Sequence, residues 1–225
     1  MKHFLNAKKR FLPVFLCLLT LFYGFCSCAK KLDLSDYVSE LRSNIYIAEK
    51  DGFSLRIYAV LKESPYVADG IVQECSARVE AHLIAPEGQE TCRLTFSYDG
   101  KDYGGEMSFD NVKTEYYFSR TLELSNASEL PCVIEYGSTK VEFTAVSVKT
   151  AETLSPENIL KNLHREESEF FSSLTDKYGF SGEIYLRLIY EDAPYYYVGV
   201  IDRNGKINAF LLNANTGKIL AKRKS

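Results

Sequence analysis

Short stretches in which apolar and polar residues alternate dominate the chain between residues 43 and 148. One stretch covers residues 53–61, and similar ones cover 77–84, 92–98, 103–109, 113–124, 132–136 and 140–148. A period of two is typical of β-strands that bury one face. Turn residues such as Asp51-Gly52 and Asp99-Gly100 separate them. The spacing predicts an antiparallel β-sandwich of immunoglobulin-like architecture over residues 43–150.

A helix and a second group of strands are predicted over residues 151–225. Ser155 is a suitable N-cap, Pro156 suits the first helical position, and Glu157 complements the helix dipole. Apolar residues follow at helical spacing: Leu160, Leu163, Phe170, Phe171 and Leu174. Three or four strands come next, with a tight turn at Asn204-Gly205. The predicted fold class is therefore α+β, a β-sandwich followed by a small domain with a helix and an antiparallel sheet.

Two turn motifs near the end of the chain resemble a known family. Residues 197–206 read YVGVIDRNGK, and residues 211–220 read LLNANTGKIL. The Gly205-Lys206 hairpin and the Ala214-Asn215-Thr216-Gly217-Lys218 turn resemble those of a PepSY domain, which places a helix before a small antiparallel sheet. The resemblance implies an exported protein whose last domain binds or restrains a peptidase or another envelope partner.

Residues 1–27 have the pattern of a secretory signal peptide. Lys2, Lys8, Lys9 and Arg10 precede an uncharged apolar run at residues 11–25, and small residues follow. The run is shorter than the roughly 20 residues of a transmembrane helix. Export is therefore predicted, and an uncleaved signal anchor is the alternative.

The segment 25–28 resembles a bacterial lipobox, in which Ser27 precedes the modified cysteine. This resemblance predicts cleavage after Ser27 and a lipid on Cys28, with residues 28–42 as a short tether. Acyl chains would hold the protein on the extracytoplasmic face of the cell membrane. Cleavage after Ala29 without lipidation is the alternative.

Charge argues against nucleic acid as a partner. The chain has 27 basic and 30 acidic side chains, and four of the basic ones lie in the signal. The mature part therefore has a formal charge of −7. An acidic chain without a basic stripe is unsuited to nucleic acid or to anionic lipid.

The mature part retains four cysteines: Cys28, Cys75, Cys92 and Cys132. A lipid on Cys28 would leave three, and the sequence does not choose a disulfide among them. Cys92 and Cys132 lie in apolar strand-like runs, which favours buried thiols.

The sequence contains no recognisable catalytic, metal or cofactor motif. G-x-S-x-G, H-E-x-x-H and phosphate-binding loops are absent. His82 is predicted on a strand, and His164 is three residues before Glu167, a spacing that favours a helix-surface pair. The acids at residues 99–110 favour a solvated hairpin over a calcium site. No enzyme activity, metal or cofactor is predicted.

Tyr195, Tyr196 and Tyr197 are the candidate binding surface, because consecutive strand residues point to both faces and exposed Tyr often anchors a partner. Cross-strand packing is the alternative. The predicted function is a non-enzymatic, membrane-anchored binding lipoprotein with a protein or peptide partner. An inhibitor or regulator of an envelope peptidase and an envelope hydrolase with an unrecognised site are the other hypotheses.

Overall fold

Strands form most of the described chain in the computed structural model. The structure describes residues 32–65, 67, 69, 71–86, 90–125 and 127–223. Strands account for 58% of it and helices for 11%. Cys28 and the predicted signal lie outside the described residues. In the described ranges, no helix is long and apolar enough to span a membrane.

The first part of the fold contains nine strands after a short 3₁₀ helix at Leu34–Tyr37. The strands are β1 Val38–Lys50, β2 Phe53–Glu63, β3 Cys75–Ile84, β4 Cys92–Tyr98, β5 Lys101–Glu106, β6 Ser108–Asp110, β7 Glu115–Thr121, β8 Glu129–Tyr136 and β9 Thr139–Ser147.

The second part contains two short helices and six strands among the described residues. The elements are α1 Pro156–Glu166, α2 Ser168–Ser173, β10 Thr175–Asp176, β11 Gly179–Phe180, β12 Gly182–Tyr190, β13 Pro194–Asp202, β14 Ile207–Asn213 and β15 Ile219–Arg223. The predicted N-cap is confirmed, since Ser155 Oγ accepts a hydrogen bond from the Asn158 N–H at 3.3 Å. The backbone leaves helical geometry at Glu167, with φ −114° and ψ 37°, and this divides the helical segment in two.

β1 is the strand on which the main sheet branches. One of its edges pairs with β2 along nearly its full length. The other edge pairs with β12 in parallel over residues 38–42, and then with β9 in antiparallel fashion at Tyr46 and Ile47. The register of β1 shifts between Arg42 and Asn44, where the strand changes partner.

One branch curls into a nearly closed, barrel-like sheet. It runs from β1 through β2, β3, β7 and β6 on one side, and through β9, β8, β4 and β5 on the other. β5 and β6 flank Met107, whose N–H donates to the Cys92 carbonyl at 2.9 Å. The interior is filled by apolar side chains from all these strands, among them Leu55, Val79, Leu94, Phe96, Leu130 and Ile134.

The other branch, β12 to β15, carries the helices on one face. Leu163 and Phe171 are buried, and the Phe171 ring contacts that of Phe180 with centroids 6.0 Å apart. Phe170 contacts Phe210 of β14 at 5.6 Å. The opposite face of this branch continues the outer face of β1.

The predicted fold class is wrong, although the prediction of a strand-rich chain is confirmed. The structure has one 13-stranded sheet, not a sandwich followed by a separate helix-and-sheet domain. Residues Leu34–Ser225 form one compact unit, and β1 begins inside the predicted tether. Alternation locates a strand but does not specify its partner, so the parallel pairing of β1 with β12 left no local signal.

Candidate functional site

Charged and aromatic side chains cover the outer face where β12, β1, β2, β3 and β7 run side by side. Alternation sends Ala59 into the core, whereas Tyr58 points outward opposite Glu80. The aligned register makes these outward residues one continuous surface. We call it the outer-face network, which consists of Glu40, Arg42, Tyr58, Lys62, Glu80, His82, Glu115, Tyr117 and Arg187.

Arg187 and Glu40 join the two branches of the sheet at one end of the network. Arg187 Nε donates to Glu40 Oε1 at 2.8 Å, and Nη2 donates to Oε2. The guanidinium also lies over the Tyr185 ring, 4.9 Å from its centroid. Burial alone would lower the pKa of Arg187, but the hydrogen bonds and charge of Glu40 outweigh it and raise that pKa.

Arg42 lies at the centre of the network with its guanidinium 4.2 Å from the centroid of the Tyr58 ring. This is cation–π geometry. Burial lowers the pKa of Arg42 despite the opposing influence of Tyr58 and Glu40. The contact holds the guanidinium over one face of the Tyr58 ring.

His82 connects Tyr58 to β7. Its ring contacts those of Tyr58 and Tyr117 edge-on, with centroids 5.3 and 5.2 Å away. His82 Nδ1 and Glu115 Oε1 are 2.8 Å apart, and Lys113 Nζ lies 3.5 Å from the same carboxylate. The result is a row of three rings in edge-on contact, with an acidic partner on its central histidine.

An open cleft of about 680 Å³ lies beside His82. It is lined by the Lys62–Glu80 ion pair and Tyr117, and by the loop that follows β6. Asp110, the last residue of β6, accepts hydrogen bonds from the Lys113 and Val112 N–H groups of that loop, which lower its pKa. The cleft therefore offers both signs of charge next to an aromatic wall.

The three predicted tyrosines have different surroundings. Tyr196 is fully buried against the helices, and its hydroxyl donates to the Leu154 carbonyl at 3.2 Å. Burial raises its pKa to about 12. Tyr195 is half-buried, and its hydroxyl donates to Asp192 at 3.0 Å. Tyr197 faces the same side as its cross-strand partner Arg187 and is the one of the three that adjoins the network.

The surroundings of His164 and of the described cysteines indicate structural roles. The His164 ring packs edge-on against Phe171 at 5.3 Å, and Glu167 accepts a hydrogen bond from Lys222 Nζ at 2.9 Å. Cys92 and Cys132 are buried, as predicted, and with Cys75 they are free thiols. In the described ranges, no group of three or more His, Cys, Asp or Glu side chains is placed to hold a metal.

Sequence reasoning identified His82 as a strand residue but missed the other residues of the outer-face network. Arg42, Glu115 and Arg187 belong to three different strands, and only the register brings them to one face. Alternation could have assigned each to the outer side of its own strand. It could not show that β12 lies beside β1.

No protein-family model, curated protein or solved structure matches this chain. The PepSY resemblance therefore stays a prediction, and function must be argued from the geometry of the site.

Proposed function

We propose that the protein is an exported, lipid-anchored envelope protein that acts as a non-enzymatic binding module. Its ligand contacts the outer-face network. The observation that supports this most directly is the cation–π contact of Arg42 with Tyr58, together with the edge-on ring contacts that extend the row through His82 to Tyr117. Tyr and Arg are, with Trp, the residue types enriched among those that contribute most of the binding energy at protein interfaces.

The network suits binding because its groups are already ordered and partly dehydrated. The side chains of Glu40, Glu80 and Glu115 are 15%, 11% and 17% exposed, although they lie on the outer side of the sheet. Ordering of side chains and dehydration of charges are two main costs of association. A partner that covers this face would incur less of both.

A protein or peptide is the proposed partner. The network is broad and crosses five neighbouring strands, and the cleft beside His82 is open rather than enclosed. A broad aromatic surface with paired charges provides many contacts to an extended chain, and the charges select the register of that chain. The lipid at Cys28 would keep this surface at the membrane.

Site-specific photo-cross-linking in intact cells tests the binding surface. A benzoylphenylalanine residue replaces Tyr117 in the full chain, and in a matched control it replaces Tyr178, which is 82% exposed and lies on the loop between β10 and β11. We expect a discrete adduct from position 117 and none from position 178. Equal labelling at both positions, or none at position 117, would contradict the proposal.

Mass spectrometry of the mature N-terminus, isolated from membranes, tests the anchor. A diacylated peptide that begins at Cys28 is the expected result. An unmodified peptide that begins at Lys30 would show cleavage without lipidation.

A further inference from the structure

Three arginines form a row across the outer face in the register of the sheet. Arg187 on β12 is opposite Arg42 on β1, and Arg42 and Arg78 lie on either side of Val60 of β2. Neighbouring strands are about 4.8 Å apart, so the backbones of Arg42 and Arg78 are about 10 Å apart. Like charges at neighbouring cross-strand positions repel one another. The row therefore concentrates positive charge on a chain whose formal net charge is −3.

The nearby carboxylates do not neutralise the whole row. Glu40 accepts two hydrogen bonds from Arg187, and Glu80 pairs with Lys62. Arg42 Nε and Arg78 Nε are buried, and neither has a hydrogen-bond partner in the part of the chain that the structure describes.

These two unpaired donors flank a buried apolar residue. Val60 is only 4% exposed although it points to the outer side, between Arg42 and Arg78 in the register of the sheet. Ser119 Oγ, on β7 opposite Glu80, is also buried and has no partner among the described residues. Polar groups that have lost water and gained no partner are costly to the fold. A ligand that supplies acceptors here would remove that cost.

We propose that Arg42 and Arg78 form a binding site for carboxylate groups. The planar guanidinium fork matches a carboxylate with two parallel hydrogen bonds, as the Arg187–Glu40 pair of the same row already shows. The stacking of Arg42 on Tyr58 orients one fork in advance, and Ser119 adds a hydroxyl donor. The site rests on the proposed binding role of the outer-face network and gives its ligand a chemical class.

The carboxylates could belong to an acidic peptide segment or to a small free acid. A span of about 10 Å favours an extended chain with acidic side chains, since one carboxylate then meets each arginine. The two sources are separated by comparing a peptide with a monocarboxylate at equal carboxylate concentration.

Fluorescence anisotropy of a labelled hexaglutamate peptide, with the full chain purified from membranes in detergent, tests the site. Hexaglutamine, sodium acetate and inorganic phosphate serve as competitors. The variants are R42Q and R78Q, with R56Q as the matched control, because Arg56 is an exposed arginine on the same face of β2. R42K keeps the charge but removes the fork.

We expect hexaglutamate to bind and hexaglutamine not to compete. R42Q and R78Q should each weaken binding by about tenfold or more, R42K nearly as much, and R56Q less than about twofold. If acetate displaces the labelled peptide as well as unlabelled hexaglutamate does at equal carboxylate concentration, the ligand is a small acid and the site is retained. Stronger competition by phosphate would overturn the carboxylate assignment. No binding by the natural chain, or equal losses in R56Q and R42Q, would overturn the site.

Thermal unfolding of each variant keeps the outcome interpretable. R78Q removes a buried Nε donor that has no partner among the described residues, so its unfolding temperature should be unchanged or higher. R42Q also loses the contact with Tyr58, so its unfolding temperature should be slightly lower. If a variant fails to fold, the charge of the peptide is reversed instead, and hexalysine is compared with hexaglutamate on the natural chain. Equal binding of the two peptides would contradict the proposal. A cross-link at position 117 combined with no hexaglutamate binding would reject the carboxylate site while retaining the binding role.

Discussion

At the scale of single residues, Tyr195 and Tyr196 place the same side chain in opposite surroundings. They are consecutive on β13, so they point to opposite faces of the sheet. Tyr196 is fully buried on the helix side and donates a hydrogen bond to the Leu154 carbonyl, whereas Tyr195 donates one to Asp192 at the start of the strand. Residue type alone could not separate a core residue from a surface candidate.

Replacement of Tyr196 by Phe should lower the free energy of unfolding by about 1 kcal/mol, because the Leu154 carbonyl loses its donor. Tyr195→Phe is the matched control and should cause no measurable change. Urea denaturation at equal m-value measures both. A larger loss in Tyr195→Phe than in Tyr196→Phe would contradict the assignment of the two faces.

At the scale of elements, the hairpin of β4 and β5 depends on a close approach of its two backbones. A Cβ added at Gly104 would lie 2.0 Å from the Leu94 carbonyl oxygen and 2.8 Å from the Cα of Thr95. Gly100, in the turn of the same hairpin, has a φ of 69° and nothing within 4 Å of its would-be Cβ. One glycine is required by contact and the other only by its dihedral angle.

Gly104→Ala should therefore destabilise the protein by about 3 kcal/mol or more, since backbone atoms must move to admit the methyl group. Gly100→Ala should cost only about 1–2 kcal/mol, the strain of a left-handed alanine. Guanidinium denaturation of the two variants provides the comparison. Similar losses in both would show that β4 and β5 are not packed so closely.

The pairing of β1 with β12 is the element-scale feature that the sequence did not reveal. The predicted strands over residues 53–61, 77–84 and 140–148 correspond to β2, β3 and β9. Their signals are local, namely alternation and bounding turns. A parallel ladder between two distant strands depends on the packing of the whole chain, so no local pattern encodes it.

At the scale of the whole molecule, buried neutral acids link stability to high pH. Burial raises the pKa of Cys132 to about 12, that of Cys92 to about 11 and that of Tyr196 to about 12. The ordinary values are 9.0 for Cys and 10.0 for Tyr. Between the ordinary pKa of each group and its raised pKa in the fold, the unfolded chain releases protons that the folded chain retains. Their contribution to stability is complete below pH 9 and is lost as the pH approaches 12.

The free energy of unfolding should therefore decrease steadily from about pH 9 to pH 12. Cys132→Ala removes one of the linked groups, so its profile should be shallower over the same interval even if its stability at pH 7 is lower. Chemical denaturation across the pH series measures the slope. A flat profile in the natural chain, or an unchanged slope in Cys132→Ala, would exclude this linkage.

The sequence by itself determined the strand-rich character of the chain, the helix start at Ser155 and the burial of Cys92 and Cys132, because caps, turns and alternation act over a few residues. It also predicts the export signal and the lipid on Cys28, which lie outside the described residues. Only the tertiary structure decided that Glu40 and Arg187, 147 residues apart, form one ion pair on a shared face. The reason is physical: side-chain alternation is a property of a single strand, whereas a binding face is a property of strands in register.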